Sequence, residues 1–447
     1  MTPDQTTPRG DLTVFWIFWG LNLLLAGWQL VRAWFRPREV TGFATVVSLM
    51  WLYFYVFMPC QLVVNFRDAF TSRLFALAEL TPLVALTAFL GGWHWGLFSQ
   101  CRPLGNGPAP QPNYGRLWWA GVSLILFGWS AWKLFMQSGR EFETTSAYWY
   151  LLITVVYPGM SIGVAVLARS PRHRTVINVL LLVGLIGIVI LPFLVGARRG
   201  PLFVTIIAVG ISWFMVRPRP PQPGLVLGVF VVAGALILFV YSARRAVYAE
   251  ETWRDFFRTV TVDEVVFERA NRTGDNEFFN HCLALEANLR TGLYQYGTGH
   301  LAMLVHWVPR AWWPGKPERG RGFFPSALLA IETEEHHNVG YGGSIACVAD
   351  TFDNYGYFFP FFWLALGWLT ARFFAKTQMT DDVRWKLHYV GLLCASHWFV
   401  AQNFTEAFVP FCFFQAAYFV AFRFARVTPE RAVRSFRPRE SPVAQKS

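Results

Sequence analysis

Charge is what this sequence has least of. Only 15% of its 447 residues are Asp, Glu, Lys or Arg, and 54% are hydrophobic, whereas an ordinary soluble chain carries about 25% charged residues. A soluble fold of this composition would run short of polar surface. Metal-binding spacings are missing as well. The six cysteines (Cys60, Cys101, Cys282, Cys347, Cys394 and Cys412) form no CxxC and have no His at finger spacing, which excludes the usual zinc and dithiol motifs. HxxxH and DxD are absent too, so neither a metal nor another cofactor is expected. No internal repeat and no matching pair of broken helices is visible, which counts against a transporter built from duplicated halves. The N-terminus has no basic segment followed by a small-residue cleavage site, so the first apolar run is expected to be a retained helix. The formal charge of +12 lies in short clusters and not on one basic face, so nucleic acid is not an expected partner.

Long apolar runs are what the sequence does have. They extend about 18 to 25 residues with few charges, enough to cross about 30 Å of hydrocarbon at about 1.5 Å per residue. Spans are expected near Thr13 to Val31, Gly42 to Val64, Leu74 to Phe98, Leu117 to Met136, Tyr148 to Leu167, Thr175 to Val195, Pro201 to Val216 and Leu225 to Tyr241. After a long polar stretch come Phe358 to Phe374, Leu387 to Gln402 and Thr405 to Phe424. The expected fold is therefore an all-α polytopic membrane protein of about 11 transmembrane helices. Its organisation is helices one to eight over residues 1–241, a large extracytoplasmic loop over 242–357, helices nine to eleven over 358–424, and a basic tail over 425–447.

Arginines decide the orientation, because short cytoplasmic loops retain Lys and Arg. Arg32, Arg36 and Arg38 follow span one, Arg102 and Arg116 follow span three, and Arg169, Arg172 and Arg174 follow span five. Arg217 and Arg219 follow span seven, while Arg372, Lys376, Arg384 and Lys386 follow span nine; the tail adds Arg423, Arg426, Arg431, Arg434, Arg437 and Arg439. Every odd-numbered span thus leads into a basic connection. This places the N-terminus outside, the C-terminus in the cytoplasm and the loop between spans eight and nine outside. Within that loop, Asn280 to Val308 suits either amphipathic helices at the membrane surface or packing helices of an external subdomain. Cys282 and Cys347 also fall there, where a disulfide is chemically allowed, although the cysteines are expected mainly as apolar helix residues.

Three groups on the expected outer side carry chemistry. The first is GARRGP, where Arg198 and Arg199 sit between two spans with almost no loop. Arginine at membrane depth faces a cavity or an anion, and its planar fork suits phosphate oxygens; the plainer alternative is a snorkelling interfacial pair. The second is VPRAWWPGKPERGRG, in which Pro309, Pro314 and Pro317 forbid a continuous helix. There Arg310, Lys316, Arg319 and Arg321 gather positive charge beside Trp312 and Trp313, which either stack on a sugar or anchor the loop. The third runs from Glu334 to Gly356 and holds His336, His337, Asp350, Asp353 and Asn354. Carboxylates and imidazoles near phosphate-binding cations are the groups expected to deprotonate a hydroxyl nucleophile.

Together these features resemble the oligosaccharide repeat-unit polymerase family, the O-antigen and exopolysaccharide polymerases of bacteria. Members have ten or more helices, a Gly/Arg turn before a helix, a large external loop and a run of the type PR-x-x-W-P-x-K-P. That run is matched by Pro309, Arg310, Trp313, Pro314, Lys316 and Pro317. Downstream, members show an acid, then Asn and Gly entering the next helix; here ADTFDNYG supplies Asp350, Asn354 and Gly356. The similarity is clearest over 294–367, and the acid is Asp where members commonly have Glu. The resemblance implies a GT-C-like inverting glycosyltransferase in the bacterial inner membrane, acting on undecaprenyl-diphosphate-linked oligosaccharide. In that setting His336, His337 or Asp350 would be the base, and Arg198, Arg199, Arg310, Trp313, Lys316, Arg319 and Asn354 would bind diphosphate or sugar. Membrane lipid, a chain-length regulator and a flippase are the partners implied. An O-antigen ligase, which uses the same donor, and a transporter or flippase of an anionic lipid are the alternatives.

Overall fold

The structure, a computed structural model, describes residues 11–65, 67, 69–99, 111–137, 152–195, 199–217, 222–226, 228–229, 277–305, 308, 312–315, 327 and 346–426. All regular elements among the described residues are helical. They are α1 (Thr13–Phe35), α2 (Phe43–Leu52, continuing through a π-helical turn at Tyr53–Phe57 into Met58–Asn65), α3 (Ser72–Phe98), α4 (Tyr114–Gln137), α5 (Val156–Arg169) and α6 (Val176–Val195). Then follow α7 (Arg199–Ile206, a π-helical turn at Ile207–Ile211, then Ser212–Val216), α8 (Glu277–Thr291), α9 (Thr298–Val305) and α10 (Cys347–Tyr355). The chain closes with α11 (Phe359–Met379), α12 (Val383–Ala401) and α13 (Phe404–Phe424).

Six helical stretches among the described residues are long and apolar enough to cross a membrane: Thr13–Phe35, Phe43–Val64, Ser72–Phe98, Leu152–Arg169, Cys347–Met379 and Phe404–Phe424. The chain is a helical membrane protein. Helices α4, α6, α7 and α12 occupy four more of the stretches expected to span, and the eighth, Leu225 to Tyr241, lies largely outside the described residues. Burial sorts the helices into layers. On α6, Val176, Ile177, Leu180 and Val183 are all exposed, the mark of a helix whose apolar face meets lipid. Most residues of α5 and α12 are instead buried, and α12 touches α2, α5, α7, α10, α11 and α13. It is the hub.

Without a hydrophobic force between helices in lipid, close association depends on small residues and on hydrogen bonds. The pairing of α3 with α11 uses both faces of a small-residue seam: a Cβ at Gly92 would run into the carbonyl oxygen of Leu364, and one at Gly367 into that of Phe89. A Cβ at Gly96 would stand 2.7 Å from that of Ala371. Bulk on this seam would force the two helices apart.

Interhelical hydrogen bonds satisfy what local sequence leaves open. Pro82 has no N–H to give the Ala78 carbonyl four residues back. His281 of α8 fills the gap, with Nε2 3.2 Å from that oxygen and 3.1 Å from Thr81 Oγ1. The π-helical turns free carbonyls in the same way; Trp19 Nε1 donates to Val56 O at 2.7 Å and Ser161 Oγ to Ala208 O at 3.2 Å. Deeper in, Asn22 donates to the Glu79 carbonyl and to its Oε2, both at 3.0 Å, while Trp51 Nε1 donates to Asn22 Oδ1 at 3.2 Å. Glu79 is wholly buried.

Basic residues collect at one end of the bundle. Arg32 pairs with Glu39 at 3.2 Å and lies 3.3 Å from His94 of α3; Arg169, at the end of α5, pairs with Asp381, which also receives Lys386 at 2.8 Å. Asn113, just before α4, donates its N–H to Ala425 O, just after α13, at 2.9 Å. The connections after α1, α3, α5 and α11 and the end of α13 therefore share one end. Guanidinium or ammonium groups stack on tryptophans there too, Arg217 over Trp213 at 3.8 Å and Lys376 over Trp385 at 3.5 Å.

The described part of the long stretch between α7 and α11 is packed into the bundle. Helix α8 lies against α2 and α3, burying Asn280, His281, Cys282, Leu285 and Asn288, and α10 lies against α3, α12 and α13. Cys282 and Cys347 are both buried free thiols.

Candidate functional site

The site forms where α10 meets α9 and the start of α13, at the end of the bundle opposite the basic cluster. Helix α10 stops at Gly356, whose φ of +54° lies in the left-handed region, and the chain turns from there into α11. The run Gly297-Thr298-Gly299, which leads into α9, lies against α10. Gly297 has φ +80°, which favours glycine, and a Cβ at Gly299 would lie 2.6 Å from Asn354 Oδ1, so that amide would have to shift. Gln295 N donates to Asp353 O at 2.9 Å and Gly297 N to Asn354 O at 2.7 Å. These bonds dock α9 beside α10.

That docking places His300 against Asp350. Its Nε2 lies 2.9 Å from Asp350 Oδ2 and its Nδ1 2.9 Å from the Tyr355 hydroxyl, while its N–H donates to Asn354 Oδ1 at 3.2 Å. Asp350 Oδ2 also accepts the N–H of Phe404, the first residue of α13, at 2.8 Å; Asn354 Nδ2 reaches Asp350 O at 3.0 Å and Oδ1 at 3.3 Å. The side chains of His300 and Asp350 are 5% and 13% exposed. A second carboxylate, Asp353, accepts from Gln295 Nε2, and from Asn288 at 2.8 Å once that amide is turned with its nitrogen inward.

The donors fix the proton positions. An ionised carboxylate only accepts, so His300 carries its hydrogen on Nε2, facing Asp350. Neutral imidazole then has its lone pair on Nδ1, and the Tyr355 hydroxyl donates to it. This is the order of an orienting acid, an imidazole and a hydroxyl that acyl-transfer triads use. Its chemical capacity is a proton acceptor held in one tautomer at Nδ1. Three donors converge on Asp350, which places it to orient His300.

Of the residues singled out from sequence, Asp350 and Asn354 meet directly. Arg199 opens α7, and Gly200 beside it lies close to α12, where a Cβ would be 3.4 Å from His397 Nε2; the His397 ring also meets Phe203 at 5.4 Å. Trp313 is partly exposed and Trp312 is 81% exposed. Arg198, His336, His337, Arg310, Lys316 and Arg319 lie outside the described residues. No group of three or more His, Cys, Asp or Glu able to hold a metal occurs among the described residues. Sequence reasoning missed His300 and Tyr355. The signal available was the GTGH run, whose two glycines foretell a close backbone approach.

Compared with protein-family models, with curated proteins and with solved structures, the chain gives no match.

Proposed function

We propose that this protein is a GT-C-type membrane glycosyltransferase of about eleven spans that polymerises undecaprenyl-diphosphate-linked oligosaccharide repeat units at the outer face of the inner membrane. The observation that carries the reading is the oriented His300–Asp350 pair, in which Asp350 belongs to the ADTFDNYG run, at the same bundle end as the start of α7 at Arg199. A hydroxyl of the acceptor glycan replaces the Tyr355 hydroxyl at His300 Nδ1 and gives up its proton there as its oxygen bonds to the anomeric carbon. The bond from that carbon to the donor's diphosphate breaks, and the lipid diphosphate leaves with the electron pair. Arg198, Arg199, Arg310 and Lys316 are the cations assigned to that departing charge, with Trp313 and Arg319 on the sugar side, while the Asn354 amide, bonded to the His300 N–H and to Asp350, holds the pair in place. His336 and His337 remain alternative bases from the same loop. A chain-length regulator and a flippase would be its partners in the membrane.

Chain growth by purified protein on a synthetic diphosphate-linked repeat unit tests this. His300→Gln is expected to lower the rate by about 100-fold or more, the scale of a lost general base. Undiminished growth in a folded His300→Gln variant would remove His300 from the chemistry, and undiminished growth in Arg199→Ala would remove the phosphate role. A ligase would instead transfer glycan to a lipid A core acceptor without chain growth. One observation favours a second reading, transport of an anionic lipid or solute: Glu79 is a carboxylate wholly buried inside α3, and ionisable groups within spans often mark transport pathways. Lipid-linked substrate crossing vesicles only with intact Glu79, and no glycan growth, would decide for it.

A further inference from the structure

At the basic end, α11, α12 and α13 enclose a cavity of about 340 Å³. Its walls are aromatic: Phe373, Trp385, Phe419 and Phe422. Two polar residues of the lining bond to each other: Gln415 Oε1 meets His388 Nδ1 and Gln415 Nε2 donates to His388 O at 3.0 Å. Phe419 is 58% exposed on the outer surface of the bundle, so one wall of the cavity stands at the face that carries lipid.

Its rim is cationic, and the cations differ in how they are paired. Arg384 is committed to Asp382, with Nε and Nη2 2.9 and 2.6 Å from Oδ2. Arg423 and Arg426, at the end of α13, line the same cavity and have no carboxylate partner among the described residues. Lys376 lies over the Trp385 ring with no carboxylate partner there either. Of the three guanidinium groups that line the apolar hollow, Arg384 is thus held by Asp382, while Arg423 and Arg426 have no such partner among the described residues.

We infer that this cavity is a binding site for an anionic phospholipid of the surrounding bilayer, its headgroup phosphate held by Arg423 and Arg426 and its acyl chain lying among Phe373, Phe419 and Phe422. The aromatic walls suit methylenes. Guanidinium groups with no carboxylate partner among the described residues suit phosphate oxygens, and basic pockets between membrane helices are where anionic headgroups settle. The site is independent of the reaction proposed above, because it lies at the opposite end of the bundle.

Native mass spectrometry of the purified full chain, loaded with mixed phosphatidylglycerol and phosphatidylcholine, tests the inference. The unmodified chain is expected to retain phosphatidylglycerol at least about tenfold in preference, and Arg423→Gln/Arg426→Gln to lose that preference. Arg116→Gln/Arg172→Gln removes the same charge from exposed positions at the same end and is expected to keep it. Equal loss in both double variants would reduce the effect to general surface attraction and overturn the site, as would retention by Arg423→Gln/Arg426→Gln. A Phe419→Ala variant reads the apolar half: it should lower retention of long-chain over short-chain phosphatidylglycerol, and an unchanged chain-length preference would also overturn the proposal.

Discussion

The two ends of the bundle handle charge differently. At the basic end, each ion pair keeps one partner in contact with water: Arg36, 58% exposed, beside Glu39, Arg384, 35% exposed, beside a buried Asp382, and Asp381, 60% exposed, beside a buried Lys386. At the other end, Asp350 is nearly enclosed and held by an imidazole, an amide side chain and a backbone N–H. Pairs with one partner in water contribute little to stability. An enclosed carboxylate is costly unless every lone pair is met, and chains keep such groups chiefly where chemistry or precise docking needs them.

Substitutions separate the two ends by size of effect. Asp350→Ala should be the most damaging, because it strands both His300 Nε2–H and Phe404 N–H. With each buried orphan donor worth about 1–3 kcal/mol, a loss of about 3 kcal/mol is expected, read as a lowered unfolding midpoint in detergent alongside loss of glycan growth. A folded Asp350→Ala protein of unchanged stability would contradict the geometry of the site. Tyr355→Phe removes one donor from His300 and should cost about 1 kcal/mol, measured the same way.

Arg36→Gln at the basic end, where the guanidinium is 58% exposed, should change stability by about 0–1 kcal/mol and leave glycan growth untouched. The smallest effect is a pH dependence. Burial pushes the Asp381 carboxyl up, but Arg169 and Lys386 outweigh it and hold it below the ordinary carboxylate value. A carboxyl lowered in the folded state contributes stability above the ordinary pKa of about 4 and loses it as pH falls through the lowered value. Asp381→Asn should therefore flatten the acid limb of the unfolding midpoint slightly; an identical acid limb would show that the pair contributes nothing.

The sequence announced the helices plainly, since an apolar run long enough to cross a bilayer is a local property. The shared end of the basic connections was legible for a similar reason: Arg32, Arg169 and Lys376 each sit in the last turn of a helix. Half of the site was legible as well, because Asp350 and Asn354 stand one helical turn apart. His300 was not, since its partner lies 50 residues away and only docking of α9 on α10 unites them. Glu79 was hidden for the opposite reason: it sits within an apolar run whose periodicity gives no hint that Asn22, itself held by Trp51, donates to it. Pro82 was visible, but nothing local says that His281 would cover the carbonyl it exposes.

The central claim is that the His300–Asp350 end faces outward and the arginine end faces the cytoplasm, and thiol labelling reads this directly. Tyr296, 75% exposed beside the site, and Arg172, exposed at the basic end, are each replaced by cysteine. Intact cells, checked against the unmodified chain, are then treated with a membrane-impermeant maleimide. Labelling of Tyr296→Cys in intact cells, with Arg172→Cys labelled only after permeabilisation, is the predicted result. The reverse pattern would put the proposed chemistry on the cytoplasmic side and contradict the account.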